Sequence, residues 1–160
     1  MPKLRKVGLE LFDAPPAQFL NEKILPCSAE RLFEILADTP GWSAWFDDMK
    51  SGTWTSAPPF GVGSTRRMVL GATTVDETIL VWEPGRRFSF VVDTMGLPLV
   101  RAMAEDLRIE PHGDNACKLI HHVAYEPTLL ARLVHPLIRK IFGGQFKRTL
   151  DKLEAFVART

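Results

Sequence analysis

No run of this chain is long and apolar enough to cross a bilayer, since a membrane helix needs about 18 consecutive apolar residues and polar residues interrupt every stretch sooner. Residues 1–20 also lack the unbroken apolar centre of a secretory signal, which predicts a cytoplasmic protein. Charge of one sign is not in excess: 20 Lys+Arg face 19 Asp+Glu, a net +1. A protein that reads phosphate backbones normally carries a basic surplus, so a nucleic-acid partner is not expected. Cysteine is scarce. Cys27 and Cys117 are the only two, form no CxxC pair, and read as free thiols in a reducing compartment. The four histidines show no metal-ligand spacing to one another or to an acidic cluster, so no metal is expected. Gly61-Val62-Gly63 precedes a predicted strand where a phosphate loop would open a helix, and no Gly-x-Ser-x-Gly elbow exists. No cofactor is predicted.

What is present begins at the far end. From Thr128 to Ala158, Leu130, Leu133, Val134, Leu137, Ile138, Ile141 and Phe142 recur three or four apart, then Phe146, Leu150, Leu153, Phe156 and Val157. This is helical period with one apolar stripe. Pro136 and Gly143-Gly144 oppose a straight helix of about 30 residues, so the pattern predicts a kinked one whose long straight part follows Gly144. With 46% hydrophobic residues, 160 residues suffice for one domain with a substantial core. Residues 1–17, basic then Pro-rich, read as a surface extension anchored by Leu9, Leu11 and Phe12, and 18–160 as the domain.

The remaining elements follow in order. Gln18–Pro26 alternates as a strand, and Ser28 caps a short helix through Ala37 that Thr39-Pro40-Gly41 breaks. A second short turn gathers Trp42, Trp45 and Phe46. Strands are predicted over 50–57, 64–71, 73–83, 86–94, 104–110 and 117–126, with a tight turn at Glu83-Pro84-Gly85-Arg86 and another at His112-Gly113-Asp114-Asn115. The loop Pro58–Gly63 between the first two offers no side chain suited to a core. The order strand, two short helices, antiparallel strands, long helix is that of an α+β domain whose curved sheet wraps the last helix.

Ile24-Leu25-Pro26-Cys27-Ser28-Ala29-Glu30, Leu32-Phe33, Asp38, Trp42 and Trp45 resemble the opening signature of the polyketide cyclase/dehydrase family, within the START-like (Bet v 1-like, SRPBCC) superfamily. Gly61-Val62-Gly63-Ser64-Thr65-Arg66, Glu77, Ile79 and Trp82-Glu83-Pro84-Gly85-Arg86-Arg87-Phe88 continue the likeness, which spans residues 18–158. The resemblance implies a helix-grip fold with a hydrophobic cavity between sheet and helix, and a mobile Gly61–Gly63 loop over its mouth; a plain strand connector is the alternative for that loop.

Strand alternation indicates which side chains would face such a cavity. If Trp82 stands opposite Arg87, then Glu77, Ile79 and Val81 share a face with Phe88, Phe90 and Val92, while Asp76, Thr78, Arg87, Ser89 and Asp93 face water. Glu77 is then a lone inward carboxylate, expected either to pair with Arg67 across the Gly71-Ala72 turn or to act on a ligand. On the last strand, Leu119, His121, Val123 and Tyr125 share one face, although a one-residue slip would exchange His121 with His122. The expected lining is Val75, Glu77, Ile79, Phe88, Phe90, Val92, His121, Val123, Tyr125, Phe142 and Phe146, with Met68, Met95 and Met103 as adaptable filler of core or cavity.

Two functions fit. One is binding, sequestration or transport of a small hydrophobic ligand: a lipid, fatty acid, isoprenoid or aromatic polyketide. The other is a cyclase or dehydratase using Glu77, His121 and Tyr125 as acid/base or orienting groups. Binding is favoured because no complete catalytic constellation is visible. Leu129–Phe142, with Arg132, His135, Arg139 and Lys140, could touch a membrane or a second copy, but core packing explains the same pattern more simply. The oligomeric state stays open between monomer and homodimer.

Overall fold

A computed structural model describes all residues, 1–160. Seven antiparallel strands form one sheet in the order β1-β7-β6-β5-β4-β3-β2. They are β1 (Ala17–Leu25), β2 (Met49–Trp54), β3 (Thr65–Leu70), β4 (Thr74–Glu83), β5 (Arg87–Met95), β6 (Val100–Pro111) and β7 (Cys117–Pro127). Helix α1 (Ala29–Ala37) and a 3-10 helix (Thr39–Ala44) follow β1; a short α2 (Leu129–Leu133) and a long α3 (His135–Arg159) close the chain. This is the α+β helix-grip architecture, two short helices after the first strand and a curved sheet around the last helix.

The local chemistry explains most boundaries. Ser28 Oγ accepts from the Arg31 amide at 3.1 Å and starts α1. Thr39-Pro40-Gly41 does not end in a loop; Pro40 lies in the first turn of the 3-10 helix, where a missing N–H costs nothing. Trp42 then packs at a tilt against Trp45 and stacks on Phe46, with centroids at 4.6 and 5.7 Å. Gly52 on β2 allows this helix to cross closely, since a Cβ there would collide with the Thr39 carbonyl.

Helix α3 spans the trough between the sheet's two edges. Towards β1, Lys23 Nζ meets Asp151 at 3.0 Å; ahead of β2, the Asp47 carboxylate accepts from Lys152 at 2.7 Å and Arg148 at 3.1 Å. Phe146, Thr149, Leu150, Leu153 and Val157 are its buried face. The expected kink at the glycines is absent, and the helix runs unbroken from His135 to Arg159. The interruption falls at Val134, because Pro136 occupies the first turn of α3 and is suited to it. Gly143 faces the Phe19 ring, and tertiary packing outweighs the propensity cost of the glycine pair.

Four other expectations are corrected. The register of β4 and β5 shifts between Ile79 and Val81, so Trp82 stands opposite Phe88 and Val81 opposite Ser89 on the other face. That other face is not uniformly wet: Ser89 is buried, and Leu11, Val91, Ala102, Ala104 and Ala124 form a second apolar cluster there. Phe60, in the loop read as lacking core-type side chains, stacks on Trp54 with centroids at 4.2 Å. Leu129, Leu130, Leu133, Val134, Leu137 and Ile141, read as core, are all exposed. They lie on helix faces other than the one that Ala131, Ile138 and Phe142 turn to the cavity.

The N-terminal segment is fastened to the sheet. β5 and β6 pair only as far as Val91 and Ala104, and then separate. Leu4 and Arg5 fill the split, donating their amides to Asp93 O at 2.8 Å and Arg101 O at 2.7 Å. The Leu4 side chain packs against the main core, while Leu11 caps the outer cluster.

Candidate functional site

Alternation on β3 puts Arg66 and Met68 inward and Arg67 outward. Arg66 is opposite Glu77 in the register, and Arg67 opposite Asp76. The carboxylate partner of Glu77 is therefore Arg66, whose Nε donates to Glu77 Oε2 at 2.6 Å. Arg67, expected in that role, forms a bidentate pair with Asp76 on the outer face at 2.7 and 2.9 Å. One position along a strand separates the two outcomes.

Arg66 has no exposed surface. Its Nη1 donates to Thr39 Oγ1 at 3.3 Å, and its guanidinium lies 4.3 Å from the Trp42 ring centroid and 4.6 Å from that of Phe90. A planar cation between aromatic faces, with a carboxylate at its edge, is a compensated buried charge. Burial pushes the Glu77 carboxyl up to about 7, with Arg66 pulling it down and the nearby Glu105 carboxylate pushing it further up.

Glu105 is a second inward acid. It lies on β6 in the alternation Met103, Glu105, Leu107, Ile109 and stands opposite Phe90. Its Oε1 shares a 2.7 Å hydrogen bond with His121 Nε2. The slip between the two histidines is thereby decided: His121 points inward and packs edge-on against Phe146, while His122 points outward to Gln18 and Phe12. Tyr125 also faces inward, and its hydroxyl shares a 2.8 Å hydrogen bond with His135 Nε2 at the start of α3. Its burial raises the phenol pKa.

Between the sheet and α3 lies a cavity of about 140 Å³. Val75, Glu77, Phe90, Val92, Val123, Tyr125, Phe142 and Phe146 line it, as do Met49, Met68, Met95, Met103, Phe19, Trp42 and Glu105. Three expected members do not. Ile79 is packed into the core, Phe88 belongs to the aromatic knot with Phe33, Trp42 and Trp82, and His121 sits behind Glu105. Nor do the three acid/base candidates share one space as free groups, because each is bonded to a different neighbour. The half-buried or exposed lining residues Ala72, Thr73, Leu97, Leu99 and Ile138 mark the mouth. Gly61–Gly63 is not there. It precedes β3, at the opposite end of that strand from Ala72, and is tied down by Gly63 N–H to Ile79 O at 2.9 Å.

Arg66 and Glu105 lie outside the set expected from sequence, although strand alternation carries their signal: Met68 inward implies Arg66 inward, and Leu107 with Ile109 implies Glu105. No group of three or more His, Cys, Asp or Glu side chains is placed to hold a metal. Cys27 and Cys117 are free thiols, both with raised pKa, that of buried Cys117 pushed to about 12 chiefly by desolvation.

This architecture has relatives of known structure. A START superfamily protein from Mycobacterium smegmatis superposes with a TM-score of 0.77 at 15% identity, over 89% of this chain and 97% of that one. The Zhui aromatase/cyclase from Streptomyces sp. R1128 does so with a TM-score of 0.76 at 13% identity, over 89% and 94%. At such identities the likeness concerns the fold. An uncharacterised protein of Mycobacterium tuberculosis is 33% identical over 154 residues, 94% of this chain and 90% of its own length. Residues 16–158 match the family described as polyketide cyclase / dehydrase and lipid transport, and the chain belongs to that family.

Proposed function

We propose that the domain binds a small, largely apolar molecule in this cavity and shields it from water, as a carrier, sequestering protein or sensor. The observation that carries the reading is the chemistry of the wall: 21 of its 27 lining residues are hydrophobic, and Glu77, Glu105 and Tyr125 are already bonded to protein partners. The enclosed volume of about 140 Å³ matches cavities that admit a single aromatic ring. A longer ligand lies partly in the mouth or displaces methionines, whose unbranched thioether chains repack at low cost.

The polar side chains narrow the class. Asp48, Glu77 and Glu105 line the cavity, and no Lys or Arg does. A ligand with a hydroxyl or another hydrogen-bond donor finds a partner there; the carboxylate of a fatty acid meets like charge. Of the expected lipids, isoprenoids and polyketides, neutral or hydroxylated members fit best. Native mass spectrometry of the freshly purified protein is the test. We expect an adduct on the order of a few hundred daltons that is lost on denaturation. Bare protein that also fails to bind neutral hydrophobic probes would reject the reading.

A second reading rests on Glu77. A carboxyl raised to about 7 exchanges protons near neutrality, which suits an acid/base step in a cyclase or dehydratase working without metal or nucleotide. It would require turnover of a polyketide-like substrate that Glu77→Gln abolishes while binding survives.

A further inference from the structure

The cavity mouth borders a surface that the fold leaves uncovered. Leu129, Leu130, Leu133, Leu137 and Ile141 are 64%, 69%, 81%, 57% and 55% exposed, and all belong to α2 or the first half of α3. Isolated exposed leucines are ordinary, but a contiguous group on two successive helices marks a contact surface. The same helices supply Ala131, Ile138 and Phe142 to the cavity wall. Charge identifies the contact. No Asp or Glu occurs between Glu126 and Asp151, whereas Arg132, Arg139, Lys140 and Lys147 do; Arg148 is already paired with Asp47, and Arg139 donates to the Gln18 carbonyl.

We propose that α2 and the first half of α3 dock the cavity mouth onto an anionic phospholipid surface. The leucines enter the boundary between headgroups and acyl chains, and Arg132 and Lys140 meet lipid phosphates. A second copy of the chain is the less suitable occupant. A two-fold contact places each patch on itself, so Arg132, Lys140 and Lys147 would oppose their own copies with no acid from either helix between them. A hydrophobic protein partner would account for the leucines but not for the one-signed charge. Docking gives a ligand a route from the acyl layer to the cavity past Ile138 and Phe142 without crossing water. It does not depend on which ligand the cavity takes.

The test is co-sedimentation of the full chain with phosphatidylcholine vesicles, with and without phosphatidylglycerol. We expect binding to the anionic vesicles, at least about tenfold weaker binding to the neutral ones, and weakening by added salt. Leu130→Ser combined with Leu133→Ser should lower binding about tenfold or more at an unchanged thermal midpoint, since both side chains are already in water. Arg132→Gln combined with Lys140→Gln should remove the preference for anionic lipid while leaving the fold intact. The proposal is overturned if the full chain does not sediment, or if the leucine variant binds like the parent. It is equally overturned if sedimentation velocity finds a stable dimer that the leucine variant dissolves while vesicles stay unbound. Vesicle binding is read with no ligand added, so this failure and a failure to find a cavity ligand are separate results.

Discussion

The two halves of α3 share one period and meet opposite environments. From Phe146 onward the stripe of Phe146, Leu150, Leu153 and Val157 is buried against the sheet; before Gly144, Leu137 and Ile141 stand in solvent. Hydrophobic period alone does not say what covers a stripe. The cavity follows the same division. Its inner end is fixed by the Arg66–Glu77 pair, the Glu105–His121 bond and three aromatic rings around the guanidinium. Its mouth is framed by half-buried loops and the uncovered helical half. One end is built for stability, the other for access.

The sharpest way to break this comparison is to make the same change in both places. Leu153→Ala deletes a fully buried side chain and should cost about 2–5 kcal/mol of unfolding free energy in urea titrations. Leu133→Ala, at 81% exposure, should change it by no more than about 0.5 kcal/mol. Similar losses at both sites would mean that the first half of the stripe is covered after all.

The inner end should also impose a pH dependence that the mouth does not. Glu77 is raised from 4.5 to about 7, so the folded state holds this proton more tightly than the unfolded chain. Its stabilising contribution is complete below about 4.5 and disappears as pH rises through about 7. Unfolding free energy should fall on the order of 1–3 kcal/mol between about pH 5 and pH 8, and this slope should be absent in Glu77→Gln. Asp47 and Asp76 are shifted downward by cationic partners and lose their contributions only at acid pH, outside that window. A stabilising effect is expected at the junction of the two halves. A Cβ on Gly143 would lie 3.6 Å from the Phe19 ring, an ordinary contact, so Gly143→Ala should stabilise by about 0.5–1 kcal/mol through helix propensity.

Much of this arrangement is legible in the sequence, and the failures have physical causes. Alternation places the strands, and the family signature supplies the wrapping of sheet around helix. The inward faces of Glu77 and Tyr125 follow from a period of two. Arg66 is mistaken for Arg67 because turn geometry sets register, and a single-residue slip reverses a strand's faces. The shift between Ile79 and Val81 has no residue signature, so Val81 is assigned inward although Trp82 takes that place. Pro136 looks like a breaker until its position within the first turn of α3 is known. The exposed leucines are the clearest case, because a core stripe and a docking stripe are spelled alike.

The split between β5 and β6 has a kinetic consequence. Its filler, Leu4 and Arg5, bonds to Asp93 and Arg101, closing loops of about ninety residues for two short backbone contacts. Such a seam is expected to close late in folding and to open early under thermal fluctuation, while the long β6–β7 ladder beside it stays shut. Met95 and Val100, at the borders of the split, also line the cavity. Its side wall is thus held by backbone contacts between residues about ninety apart in the chain, and anything that pulled residues 2–5 away would unlatch the cavity from the flank, far from its mouth.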